Sequence, residues 1–429
     1  MIINAHVPLH RLILSLSEAM DYVHPSIADH QLRVAYVALR VGQKLGLAKE
    51  NLLELFYAGA LHDIGLIRQE SRIKALQLGK LEEVSWHSEV GYELLRGNPL
   101  FARAAEAVRY HHTPWENGRG AEVAGRRVPF AAHILVLSDA VSRLADPQLH
   151  ILDQADFITK LVTRQADKVL HPDCVDAFRA VSVPPAFWLD CASNRIYSVI
   201  LDLLDWPSLT VDEETIEPIA AIFAHVVDAA SRWTATHTAG VAATAVALAK
   251  RLNFSPREIL RMRAAGYFHD LGKLTVPGEI LDKPGKLTPQ EWSVMKGHTY
   301  HTFHILNTIG GLPQICEWAA FHHERLDGTG YPFGHGAAQL TLGARIMAVA
   351  DVFTAISEDR PYRPGMPSDK AMSILDKQVS GGALDGDVVA VLRRDCDAVN
   401  ETRRQEQAEY SRKQNLLLNM IGELQTAKS

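Results

Sequence analysis

Apolar residues recur three and four positions apart along most of this chain. Leu52, Leu53, Leu55 and Phe56 lead to Ala60 and Leu61, and Ile259 and Leu260 lead through Met262, Ala264 and Ala265 to Phe268. That spacing lines one face of a helix with apolar side chains and predicts two amphipathic helices. Each ends on the same dipeptide, His62-Asp63 in one case and His269-Asp270 in the other. Ahead of the second, Ser255-Pro256-Arg257-Glu258 supplies a cap, a proline at the first helical position and an acid in the first turn. The Ala-rich run Val241 to Leu252 and the run Ile346 to Val352 read as further helices, whereas Asp327-Gly328 through Pro332 is a loop by its turn chemistry. The expected fold is all-α.

Breaks in the pattern suggest domains. Pro184-Pro185 and the polar stretch Leu189 to Arg195 close a first region, and Trp206-Pro207-Ser208 with Asp212-Glu213-Glu214 introduces another long helix. The expected organisation is a helical domain over 1–189, a join over 190–214, a second domain over 215–399 and a charged helix over 400–429. The tail, with Glu401, Arg403, Arg404, Glu406 and Glu409 in close succession, reads as a solvated terminal helix.

Candidate chemistry is most concentrated in the second domain. His269-Asp270-Leu271-Gly272-Lys273 is followed by His322-His323-Glu324-Arg325-Leu326-Asp327-Gly328-Thr329-Gly330-Tyr331-Pro332. Each cluster alone is a weak signal, but in this order they resemble the HD-GYP family of dinuclear metal phosphodiesterases. Leu281 to Leu287, Ala344-Arg345-Ile346 and Arg360-Pro361-Tyr362-Arg363 continue the resemblance, which spans residues 223–392.

The resemblance implies a metal set of His237, His269, Asp270, His298, His322, His323 and Asp351, with Asp270 bridging two ions. Asp270 and Lys273 would be catalytic, Lys273 at the scissile phosphate, and Gly330, Tyr331, Pro332, Arg345, Arg360 and Arg363 would meet the substrate. A planar guanidinium forks onto phosphate or guanine, which suits the arginines to that role. Phosphodiester hydrolysis sets an activated water in line with the leaving oxygen, and two metals can stabilise both the attacking and departing oxygens. Imidazole and carboxylate donors favour a transition metal, iron or manganese ahead of nickel or zinc, over magnesium. A third metal in some family members uses a glutamate at the position of Trp233, so two ions are expected here. The family's usual Phe-Asp-Pro is replaced by Ala383, Leu384, Asp385 and Gly386, and a frequent aspartate by Thr354. The isolated His225, His301, His304 and His335 are left outside the ligand set.

The first domain repeats the ligand order with His30, His62, Asp63, His87, His111, His112 and Asp139. Thirty-two residues separate His30 from His62 and His237 from His269, and twenty-four separate His87 from His111 and His298 from His322. His112 to Asp139 is 27 residues, against 28 for His323 to Asp351. A fixed spacing of this kind marks a duplication. The chain is therefore read as two tandem HD-type domains that are not equivalent. Leu66 stands in place of Lys273, and Thr113-Pro114-Trp115-Glu116-Asn117-Gly118 in place of the Gly-Tyr-Pro loop. The first domain is expected to be regulatory, binding metal or a nucleotide without opening cyclic dinucleotides. An active site for another phosphate ester remains the alternative.

The implied activity is hydrolysis of a 3′–5′ cyclic dinucleotide, cyclic di-GMP or 3′,3′-cyclic GMP-AMP, to a linear dinucleotide, with further cleavage to mononucleotides left open. Two other readings stand beside it: a cyclic dinucleotide sensor, and a broader metal phosphohydrolase. The 429 residues, 47% hydrophobic and 22% charged, suffice for two cores. A net charge of −6 offers no general attraction to DNA or RNA polymers. Cys174, Cys191, Cys316 and Cys396 show no metal-type spacing and are expected as reduced thiols. With no leader pattern and no apolar run of the ~20 residues needed to cross a bilayer, a cytoplasmic protein without membrane contact is expected. A homodimer or a signalling partner is left open.

Overall fold

The computed structural model describes residues 7–21, 29–66, 86–206, 209–230, 236–359 and 364–426. Helices build nearly all of it, as the periodicity predicts. Among the described residues the strands are two-residue pieces in two antiparallel ribbons, Val7–Pro8 with Thr210–Val211 and Glu122–Val123 with Arg126–Arg127. The chain divides into two compact units, one formed by residues 1–15 and 209–418, the other by 16–208 and 419–429. The first ribbon explains why the opening residues group with the C-terminal unit.

At the centre of the C-terminal unit lies the helix His237–Arg251, buried without interruption from His237 to Ala249. A helix apolar on all sides must be wrapped by others. It packs on Pro256–Phe268 and on Leu342–Ser357, and Phe223, Phe268 and Phe353 fill the core. Gly266 permits the close crossing, since a Cβ there would stand 2.5 Å from Ala242 Cα. The Ser255 side chain accepts from the Glu258 amide and the Glu258 carboxylate from the Ser255 amide at 2.8 Å, a capping box of about 1 kcal/mol. Thr288 and Glu291 cap Pro289–Ile309 in the same way. These helices bring the first residue of one, His237, beside the residue that ends another, His269.

The N-terminal unit repeats the core arrangement. His30–Lys44 packs on Lys49–Leu61 and on Phe130–Leu144, and Gly59 takes the role of Gly266, its absent Cβ 2.9 Å from Ala35 Cα. Tyr36, Phe56, Phe178 and Phe187 are fully buried here. Within the stretch 190–214, Ile196–Leu203 is helical, with Ile196 and Ile200 buried.

The tail departs from a solvated helix. Cys396–Thr426 is one helix, but Val399, Asn400, Arg403, Gln407, Tyr410 and Gln414 are buried. Their three- and four-residue spacing makes a stripe, largely polar, that a hydrophobicity pattern does not register. It is met by polar and ring contacts: His225 Nδ1 lies 2.8 Å from Gln414 Oε1, and the His225 and Tyr410 rings stack at 4.0 Å.

Candidate metal centre

Helix ends and helix faces aim the C-terminal set at one place. Ring-nitrogen and carboxylate donors of His237, His269 and Asp351, and of His269, Asp270 and His322, with the ring nitrogens of His298, His322 and His323, form three overlapping groups, the donor atoms of each within 4.8 Å of one another. The two Asp270 oxygens point in different directions, Oδ1 3.4 Å from His298 Nε2 and Oδ2 3.2 Å from His269 Nε2. One carboxylate thus faces two sub-sites.

Local geometry sets the tautomers. The Nδ1–H of His269 donates to Gly266 O, that of His298 to Met295 O and that of His322 to Ala319 O, all at 2.7 Å and all three residues back along the chain. A carbonyl only accepts, so in each neutral ring Nε2 carries the lone pair. His298 Nε2 and His322 Nε2 then face each other at 3.5 Å, and His269 Nε2 is buried without any hydrogen-bond partner. Converging lone pairs beside carboxylates are repulsive until a cation enters, so the donor set fits a metal ion. Burial pushes His298 down to about 3 and His323 to about 4, keeping both rings neutral. Burial opposes ionisation of Asp270, yet its neighbours, the Lys273 ammonium among them, hold its carboxyl well below the usual range.

His237 is held differently. Its Nε2 lies 3.0 Å from Asp351 Oδ1 and its Nδ1 3.1 Å from Glu358 Oε1. Burial disfavours its charge, but Glu358 and Asp351 outweigh that and push it up to about 10. A carboxylate behind the far nitrogen of a histidine is the usual support for a metal ligand. Glu358 is absent from the sequence-derived set, although it follows Asp351 by seven residues, two helical turns along the same face, and that spacing could have found it.

The surroundings separate the remaining candidates. Lys273 Nζ donates to Asp270 Oδ2 at the open side of the cluster. His323, 31% exposed in its side chain, borders the same side, and the Tyr331 ring lies 4.9 Å from it. The loop carrying Gly330, Tyr331 and Pro332 is braced by Glu324, also missed from the sequence, whose carboxylate accepts from Phe333 N at 2.7 Å and His335 N at 3.0 Å. Gly330 cannot carry a side chain, as its Cβ would stand 2.5 Å from Glu324 Cα. Arg345 does not join this group. Its guanidinium bonds Asp385 at 2.9 Å, Leu340 O at 3.0 Å and Ala337 O at 2.6 Å, which engages each of its three nitrogens within the fold. Arg360, Arg363 and Trp233 lie outside the described residues.

The N-terminal set converges in the same manner. Asp63 Oδ1 lies 3.0 Å from His87 Nε2 and Oδ2 3.4 Å from His62 Nε2, while His30 Nε2 is 3.5 Å from Asp139 Oδ1. Nδ1 of His62 donates to Gly59 O and Nδ1 of His111 to Val108 O. His112 Nε2 comes within 3.0 Å of His87 Nε2. Two groups, Asp63 with His87, His111 and His112, and Asp63 with His30 and His62, could each hold an ion. The surroundings differ: Leu66 is buried, and Arg143 is drawn to Asp139 at 2.9 Å. The Trp115 loop is pinned by Trp115 Nε1 to Asp167 and by Asn117 N to Asp167 O.

Comparison with known proteins adds to the geometry. Residues 27–144 and 217–388 each match the HD domain family. The chain is 32% identical over 402 residues to the 3′3′-cGAMP-specific phosphodiesterase 1 of Vibrio cholerae, covering 91% of this chain and 93% of that protein. A cyclic di-GMP phosphodiesterase of Pseudomonas aeruginosa is 39% identical over 143 residues, 33% of this chain and 34% of its own. The crystal structure of a cyclic GMP-AMP specific phosphodiesterase of V. cholerae shares the fold, with a TM-score of 0.65 and 23% identity over 91% of this chain and 98% of that one.

Proposed function

The chain belongs to the HD-GYP family, with two HD domains in tandem, and from that membership we propose that its C-terminal centre opens 3′,3′-cyclic GMP-AMP. It is a metal-dependent cyclic dinucleotide phosphodiesterase. The observation that carries the narrower reading is one of extent. Similarity to the cyclic GMP-AMP enzyme runs through both halves, whereas similarity to the cyclic di-GMP enzyme covers a third of the chain. Cyclic di-GMP is the second substrate to test.

In this reading His237, His269, Asp270, His298, His322, His323 and Asp351 would hold two divalent ions, iron or manganese first. Bound there, such a pair activates water at neutral pH and neutralises charge on the phosphoryl oxygens. Lys273, anchored on Asp270, adds a positive charge where the phosphate enters. Tyr331 and the exposed ring of Trp292, 6.0 Å apart at their centroids, offer stacking surface for a base. Water is split across one P–O ester bond, leaving a terminal phosphate on one nucleotide and a hydroxyl on the other. The N-terminal centre keeps the ligands but, lacking Lys273's counterpart, binds metal without opening the ring.

Turnover of 3′,3′-cyclic GMP-AMP, cyclic di-GMP and cyclic di-AMP by chain loaded anaerobically with iron or manganese, beside Asp270→Ala, tests this. Loss of cleavage in the variant supports the assignment, and the preferred ring names the substrate. Binding without cleavage of any ring would replace it with a sensor.

A further inference from the structure

The buried stripe of the C-terminal helix reaches the metal centre through one residue. Gln407 Nε2 lies 3.1 Å from Glu358 Oε2, whose other oxygen, Oε1, faces His237 Nδ1 at 3.1 Å. The amide cannot be turned around without loss. Its Oε1 accepts from Arg403 Nη1, and its Nε2 also donates to Thr236 O at 3.0 Å. Arg403 is itself fixed, by Asn400 Oδ1 at 2.8 Å and Ser357 O at 3.1 Å. A flipped amide would set its oxygen against the Glu358 carboxylate and its N–H groups against the guanidinium.

A second observation comes from the opposite side. Gly240 lies one turn after His237, and a Cβ there would stand 2.6 Å from Gln407 Nε2 and 2.8 Å from Thr354 Cγ2. The helix that presents His237 therefore leaves a gap that the amide fills. Residues from three helices meet at Glu358, and the Gln407 amide is the member supplied by the tail.

We propose that Gln407 is a positioning residue for the metal centre, holding the Glu358 carboxylate on His237 Nδ1 so that His237 Nε2 stays aimed at the cluster. The inference rests on the reading of His237 as a metal ligand. Outer partners of this kind govern ligand orientation and basicity, and their loss typically costs 10- to 100-fold in metal affinity.

The test is Mn(II) affinity, read by electron paramagnetic resonance of free and bound ion, in the full chain carrying Asp63→Ala to silence the N-terminal set. Gln407→Leu should weaken binding by ~10-fold or more, with helicity and thermal midpoint kept. Glu358→Gln should do the same, and the double variant should lose no more than the stronger single one, because both act on one bond. Wild-type affinity in a folded Gln407→Leu chain, or multiplied losses in the double variant, would overturn the proposal. If Gln407→Leu does not fold, Gln407→Asn, which draws the amide back by one methylene, replaces it with the same expectation. His237→Ala is the control for the underlying reading: if it binds Mn(II) as tightly as the parent, the ligand assignment fails rather than the role of Gln407.

Discussion

Gly272 lies against His298 so closely that a Cβ on it would stand 1.9 Å from the His298 carbonyl oxygen. The turn after His269-Asp270 is thereby seated on the helix that carries His298, and the contact is reinforced by Gly272 N donating to Thr302 Oγ1 at 2.9 Å. Gly65 stands 2.0 Å from His87 O by the same measure. Gly272→Ala should push the two ligand-bearing elements apart and lower cleavage ~10²-fold, the cost of a misplacement near 1 Å. Gly65→Ala should leave cleavage of the cyclic dinucleotide unchanged. Steady-state rates of the two variants check both statements.

Lys273 is separable from the ligands. Lys273→Ala should keep the metal content of the parent while kcat falls ~10²- to 10³-fold, as when a group stabilising developing charge is removed. Metal analysis beside turnover decides this. Loss of metal together with activity would make Lys273 a structural partner of Asp270 instead.

Trp292, 46% exposed beside the Tyr331 loop, should act on binding. Trp292→Ala should raise KM by about tenfold, in line with the ~1–3 kcal/mol of base stacking, and leave kcat near its starting value. An unchanged KM would remove the ring from the substrate path.

Metal removal should be visible in stability. An ion present at a hundredfold its Kd contributes ~2.7 kcal/mol to the folded state, which for a domain of this size is a shift of roughly 5–10 °C. Calorimetry before and after chelation should show that drop, and Asp270→Ala with Asp63→Ala should abolish it.

The convergence of these side chains was legible because histidines and aspartates at fixed spacing had a duplicate to be laid against. The Pro256–Phe268 helix and its cap were legible because the signals are local. Glu324 and Gln407 were not, and Glu358 was so only through its seven-residue step from Asp351. Charged and amide side chains are ordinarily placed in solvent, and the burial of Glu358 and Gln407 depends on partners distant in the chain, His237 for one and Thr236 for the other, while Glu324 is held by the amides of Phe333 and His335. Arg345 went the other way for the same reason. An arginine forks onto a carboxylate as readily as onto a phosphate, and Asp385, forty residues on, claims it.

The three-residue step from Nδ1 back to a backbone carbonyl, found at His62, His111, His269, His298 and His322, has an evolutionary side. Each ring draws its orientation from its own turn of helix, so no distant residue has to co-vary to keep the nitrogen lone pairs converging. The N-terminal unit, with Leu66 where the other has Lys273 and Thr113 to Gly118 where the other has its Gly-Tyr-Pro loop, keeps the same cage of converging histidines. Such a fold is free to try new substrates without first losing its cage.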